Sequence, residues 1–96
     1  MLYAVTCLDH DDAHDLRTQH RPDHLKWAKQ THSPIWMGGP LLDKKNVPIG
    51  SLLIIEAAHE DSLGKILSQD PYAKAGLFKS VQWKPFRWTL NPPRAD

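Results

Sequence analysis

A chain of 96 residues, 41% hydrophobic and 24% charged, has room for one folded domain and no second core. Twelve Lys and Arg stand against eleven Asp and Glu, a formal net charge of +1 with no block of one sign. That balance excludes nucleic acid or an anionic membrane as the main partner, and no apolar run approaches the roughly 18–20 residues of a membrane span.

Leu2 to Leu8 is a short apolar, partly β-branched run, stopped by Asp9-His10-Asp11-Asp12. It reads as a strand followed by a turn, and Met1 to Val5 lacks the basic segment of an export signal. Cys7, the single cysteine, lies inside this run, so no intrachain disulfide forms and the thiol is expected to act as a small buried hydrophobe. A reducing cytoplasm is the natural compartment for such a chain.

From Ala13 to Thr31 the pattern becomes helical, with Leu16, His20, His24, Trp27 and Thr31 on one stripe. Pro22 interrupts it and leaves two readings, a bent helix or a turn feeding a helix that starts near Pro22. Ser33-Pro34 ends the segment. Ile35-Trp36-Met37 then makes a second strand, running into Gly38-Gly39-Pro40 at a strand end facing a pocket. Asp43-Lys44-Lys45-Asn46 is a hairpin turn, and the third strand runs from Ile49 to Ala57.

Within that strand Leu52-Leu53-Ile54-Ile55 is apolar on both parities, which implies a sheet covered on both faces. Two helices of this size cover one face. A second copy of the same sheet is the simplest cover for the other, so the expected assembly is a homodimer.

Glu60-Asp61-Ser62 supplies helix-start chemistry, and Leu63, Ile66 and Leu67 form the apolar stripe. That helix stops at Asp70-Pro71, and a short turn from Pro71 to Leu77 is capped by Asp70 in front and Gly76 behind. The last strand spans about Lys79 to Leu90. Val81 and Trp83 take one parity, then Phe86, Trp88 and Leu90 the other, which calls for a bulge or bend at Pro85. Residues 91–96 form a loose tail. The order β-α-β-β-α-β predicts an α+β, ferredoxin-like domain over residues 1–90: a four-stranded antiparallel sheet with helices on one face.

Six histidines are the unusual feature of the composition. His10/His14 and His20/His24 are each spaced to share a metal on a helix, but a site needs a third ligand. Exposed polar side chains are the expectation, with no metal and no cofactor. His24 falls on or beside the buried stripe, where an imidazole needs a partner for its ring N–H. Taken alone, it reads as a structural histidine and Asp70 as a cap. Ser51 opens the third strand and reads as an ordinary strand serine or a pocket residue. No G-x-S-x-G elbow, P-loop or dinucleotide fingerprint is present.

Several stretches in order resemble the YciI family of YCII-related domain proteins. They are Met1-Leu2-Tyr3, Arg21-Pro22-x-His24-Leu25, Gly39-Pro40-Leu41, Gly50-Ser51, Asp70-Pro71-Tyr72-x-x-Ala75-Gly76-Leu77 and Lys84-Pro85-Phe86. The likeness covers about residues 1 to 90. It implies a dimeric α+β barrel of two ferredoxin-like protomers, as a dimer or a higher oligomer, with a His–Asp pair in a cleft that maps onto His24 and Asp70. Dehydrochlorination and lactone isomerisation among related proteins imply proton transfer on small oxygenated rings.

On that implication His24 acts as base, or base then acid, and Asp70 fixes its tautomer. The backbone at Gly39 and Pro40 and the hydroxyls of Ser51 and Tyr72 orient a substrate oxygen. Arg21 attracts an anionic group or stands as a solvated charge. The other reading is a non-catalytic module that binds a small metabolite.

Overall fold

The structure, a computed structural model, describes residues 1–92. Its elements are β1 (Leu2–Asp9), α1 (His14–Ala28), β2 (Ile35–Leu42), β3 (Pro48–Glu56), α2 (Glu60–Ser68), α3 (Pro71–Lys74) and β4 (Phe78–Phe86). The strands form one antiparallel sheet in the order β2-β3-β1-β4. This is the ferredoxin-like arrangement that the element order predicts. No helix among the described residues is long and apolar enough to cross a membrane.

Strand periodicity places the core. Tyr3, Val5 and Cys7 of β1 alternate onto one face and meet Leu53 and Ile55 of β3. Leu63 of α2 closes over them, and Trp27 of α1 and Ile66 and Leu67 of α2 pack at the margin. Both long helices therefore cover the same face. Each fully buried aliphatic side chain of this set stabilises the fold by roughly 1.5–3 kcal/mol.

On the opposite face Ile54 is shielded by its neighbours Ala4 and Met37 on the flanking strands. Leu8, Met37 and Leu52 stand 41%, 46% and 43% exposed. No helix covers them.

Pro22 does not split the first helix. α1 is continuous through it, so the reading with a separate turn before Pro22 is set aside. A proline here removes one amide donor, the one that would reach the Thr18 carbonyl, and the rest of the ladder holds. The helix ends at Ala28 rather than Thr31.

Of the three strand prolines, Pro40 in β2 and Pro85 in β4 lie on edges of the sheet and Pro48 is the first residue of β3, all places where a missing donor is tolerated. The predicted bend at Pro85 is absent. Pro85 stays in register opposite Tyr3, and the strand stops at Phe86, short of Leu90. The apolar parity change beyond it instead marks a segment that leaves the sheet, with Trp88 set edge-on against Phe86 at 4.8 Å. Gly38-Gly39-Pro40 is likewise strand interior rather than strand end, since β2 continues to Leu42. Of the expected tail, residues 93–96 lie outside the described residues.

One cap differs in detail from expectation and one matches it. His59, not the acidic pair after it, caps α2 by accepting from the Ser62 N–H at 3.3 Å, while Glu60 and Asp61 occupy the first turn. Asp70 caps α3 as expected, and Gly76 follows with φ of +74°, a conformation glycine adopts without strain.

Candidate functional site

A cleft of about 600 Å³ opens between α1 and β2, with Ser51 and Leu53 of β3 at its floor. α1 contributes His14, Arg17, Arg21, His24, Leu25 and Ala28 to its wall, a spacing of three and four that keeps them on one helical face. Of the residues expected to touch a ligand, Arg21, Gly39, Pro40, Ser51 and Tyr72 all line this cleft together with His24. Asp70 sits behind them and is 1% exposed.

His24 and Asp70 meet directly. His24 Nδ1 lies 2.8 Å from Asp70 Oδ1. The same Oδ1 accepts the Tyr72 backbone N–H at 2.9 Å, so one oxygen both caps α3 and holds the imidazole. Oδ2 is buried and makes no hydrogen bond among the described residues. Pro71 at the first position of α3 explains why this carboxylate is so placed, because it starts a helix directly after Asp70 and turns the Tyr72 amide back onto it.

With a buried carboxylate at Nδ1, a neutral imidazole holds its proton there and presents Nε2 as an acceptor. The ring stacks on Tyr72 at a centroid distance of 4.0 Å and an angle of 15°, and Trp27 lies tilted at 5.7 Å. These contacts fix its plane.

Arg17 is a cleft residue that sequence reasoning missed. It is 6% exposed, and its Nε and Nη2 form a bidentate pair with Asp9 at 2.7 and 2.9 Å. Nη2 also donates to Ser51 Oγ at 2.9 Å, and the guanidinium carbon lies 4.6 Å over the Tyr72 ring. The signal was present in the sequence: Arg17, Arg21 and His24 follow one another at four and three, and Asp9 ends the neighbouring strand.

Ser51 accepts from Arg17 and retains its own hydroxyl proton to donate. Tyr72 is buried and still reaches the lining of the cleft. Burial raises the Tyr72 phenol, with the Arg17 and Arg21 charges opposing. Arg17 stays protonated: burial alone would lower it, but Asp9 outweighs that and raises it.

Cys7 lies in the core behind the site. Burial, with Asp70 adding to it, pushes the thiol up to about 12, so it stays an un-ionised apolar group. Among the described residues no three His, Cys, Asp or Glu side chains gather to hold a metal ion. His10 lies in the turn before α1, outside the helical pairing with His14.

The YCII-related domain matches residues 1–87. The chain belongs to the YCII-related domain family. Among solved structures, this YCII-related domain is similar to the 5-chloro-2-hydroxyhydroquinone dehydrochlorinase TftG from Burkholderia phenoliruptrix AC1100, in complex with 2,5-dihydroxybenzoquinone. The identity is 29% and the TM-score 0.81, over 91% of this chain and 94% of that one.

Two further structures share the fold. One is an antibiotic biosynthesis monooxygenase, at 12% identity and TM-score 0.55 over 91% and 99% of the two chains. The other is SnoaB, a cofactor-independent oxygenase from Streptomyces nogalater, at 11% identity and TM-score 0.54 over 95% and 96%. No curated protein matches this chain.

Proposed function

We propose that this chain is a small-molecule enzyme that moves a proton on a small oxygenated ring compound, in an isomerisation or an elimination. His24 is the base and Asp70 its partner. The observation that carries the proposal is the 2.8 Å contact of His24 Nδ1 with a buried carboxylate beside a cleft of ligand size. Likeness to a dehydrochlorinase whose structure holds a dihydroxybenzoquinone supports the substrate class.

In the proposed step Nε2 takes a proton from a ring hydroxyl or an acidic ring carbon. Asp70 balances the imidazolium charge that forms. Negative charge developing on a ring oxygen falls to Arg17 and the Ser51 hydroxyl, which are already held in place by Asp9 and by each other. His24 then returns the proton at another ring position, which completes an isomerisation. In an elimination a halide instead leaves with its bonding electron pair, and the proton passes to solvent.

Gly39 and Pro40 shape the β2 wall of the cleft, Tyr72 backs the imidazole, and Arg21 draws an anionic ring toward the mouth. The test is turnover of chlorinated hydroxyhydroquinones and small lactones. Removing the base by His24→Asn is expected to lower kcat by about 10²–10⁴-fold, and Arg17→Lys by about 10²–10³-fold. Full turnover in His24→Asn would sink the proposal.

The occupant we propose for the uncovered sheet face is a second copy of the chain, which makes the protein a homodimer. Leu8, Met37 and Leu52 support this, since they leave an apolar patch on the face opposite the helices. Sedimentation of Leu52→Lys is expected to show a monomer where the unmodified chain is a dimer.

A further inference from the structure

The proton-transfer reading uses one end of the cleft, where Arg17, Ser51 and Pro40 come together. At the other end stand Ala28 and Lys29 of the α1 terminus with Ile35 and Trp36 at the start of β2. Of three observations there, two have no part in that reading and one, the charge, extends the part it gives Arg21.

The first is Trp36. The register of β2 against β3 shifts between Ile35 and Met37, and the intervening Trp36 is 52% exposed while lining the cleft. A large aromatic kept in water at the rim of a pocket offers a stacking face to a planar ligand.

The second is charge. Among the described residues no carboxylate lines the cleft: Asp70 is tucked behind His24 and Asp9 behind Arg17. Arg21 and Lys29 line it and form no ion pair among the described residues, so their charge is uncompensated.

The third is size. The cleft encloses about 600 Å³, whereas a cavity of about 150 Å³ is enough to hold a benzene ring.

We infer that Trp36, Arg21 and Lys29 form an outer subsite for an anionic substituent, and that the natural ligand is an oxygenated aromatic acid rather than a neutral ring. This rests on the proposed function for the identity of the ring. It does not need His24 to be a base.

The test is calorimetric titration of the full chain with 2,5-dihydroxybenzoate and with hydroquinone, which lacks the carboxylate. At low salt 2,5-dihydroxybenzoate is expected to bind about tenfold more tightly, and 0.5 M NaCl is expected to reduce that preference to under about threefold. Lys29→Gln, which leaves Arg21 in place, is expected to cut the preference to about threefold without weakening hydroquinone. Trp36→Ala weakens 2,5-dihydroxybenzoate about fivefold with sedimentation unchanged.

Equal affinity for the two compounds in the unmodified chain overturns the inference. So does a Trp36→Ala chain that changes its sedimentation and not its affinity, because Trp36 would then belong to a subunit contact. His24→Asn separates the two proposals: loss of turnover with the carboxylate preference intact supports both, and unchanged turnover with the preference intact removes only the catalytic one.

Discussion

Arg17 and His24, two helical turns apart on α1, are tied together through the ring of Tyr72. The imidazole stacks on it at 4.0 Å and the guanidinium carbon lies 4.6 Å over it. α3 supplies both the ring and, one residue before its start, the carboxylate that holds His24. A four-residue helix thereby sets the spacing between the proposed base and the proposed oxygen-stabilising pair.

Replacing Tyr72 should separate stacking from hydroxyl chemistry. Tyr72→Ala empties a buried aromatic site and is expected to destabilise the fold by about 3–5 kcal/mol, read as a lower urea midpoint. Tyr72→Phe keeps the ring. It is expected to retain most of that stability.

Asp70→Asn tests whether the carboxylate does more than cap α3. Asparagine is as good a cap as aspartate, so the unfolding midpoint should move by less than about 1 kcal/mol from loss of capping. Proton transfer loses its charge partner, and kcat is expected to fall by about 10²–10⁴-fold with a smaller change in KM. Equal losses of stability and turnover would assign Asp70 a purely structural role.

Two glycines predict opposite signs of stability change. A Cβ at Gly50 would come 2.4 Å from the Cys7 carbonyl oxygen, a backbone atom of the central strand. Gly50→Ala is therefore expected to cost more than about 2 kcal/mol. At Gly64 in α2 nothing lies within 4 Å of the added carbon. Gly64→Ala is expected to stabilise by up to about 1 kcal/mol, seen as a raised Tm.

The buried Cys7 thiol predicts an alkaline limit to stability. Its folded-state value is raised from 9.0 to about 12, so the folded chain holds this proton after the unfolded chain has released it. Stability is therefore complete below about pH 9 and is lost as pH rises toward 12, by up to about 1.4 kcal/mol per unit. Tyr72, raised mainly by burial, adds in the same direction. Urea midpoints at pH 8 and 10.5 should lie closer together in Cys7→Ala than in the unmodified chain, the remaining gap being that of Tyr72. In the unmodified chain, native thiol labelling at pH 8 should be negligible.

The strand and helix order was legible because it depends on period and punctuation. Alternation in Leu2 to Leu8, the Leu63-Ile66-Leu67 stripe and the Asp70-Pro71 stop are local signals, and each element formed where its signal lay. Pro40 and Pro85 were harder. What a proline does in a strand depends on whether that strand is an edge, and sheet order is not a local property. The Pro85 bend failed for that reason.

His24 and Asp70 could be paired in advance only through the family likeness, since neither spacing nor composition brings residues 46 apart into contact. Arg17 stayed hidden because an arginine on a helix is ordinarily solvated. Its burial here depends on Asp9, which only the return of α1 across the end of β1 places at 2.7 Å.

The sequence alone determined the α+β domain, the un-ionised core cysteine and the cap on α3, all consequences of short-range chemistry. Only the tertiary structure decided that one oxygen of Asp70 serves both the cap and the imidazole. It alone also decided that a buried Asp9–Arg17–Ser51 chain completes the cleft. Convergence of distant side chains follows from the packing of α1 and α3 on the sheet, a long-range arrangement that no stretch of chain encodes by itself.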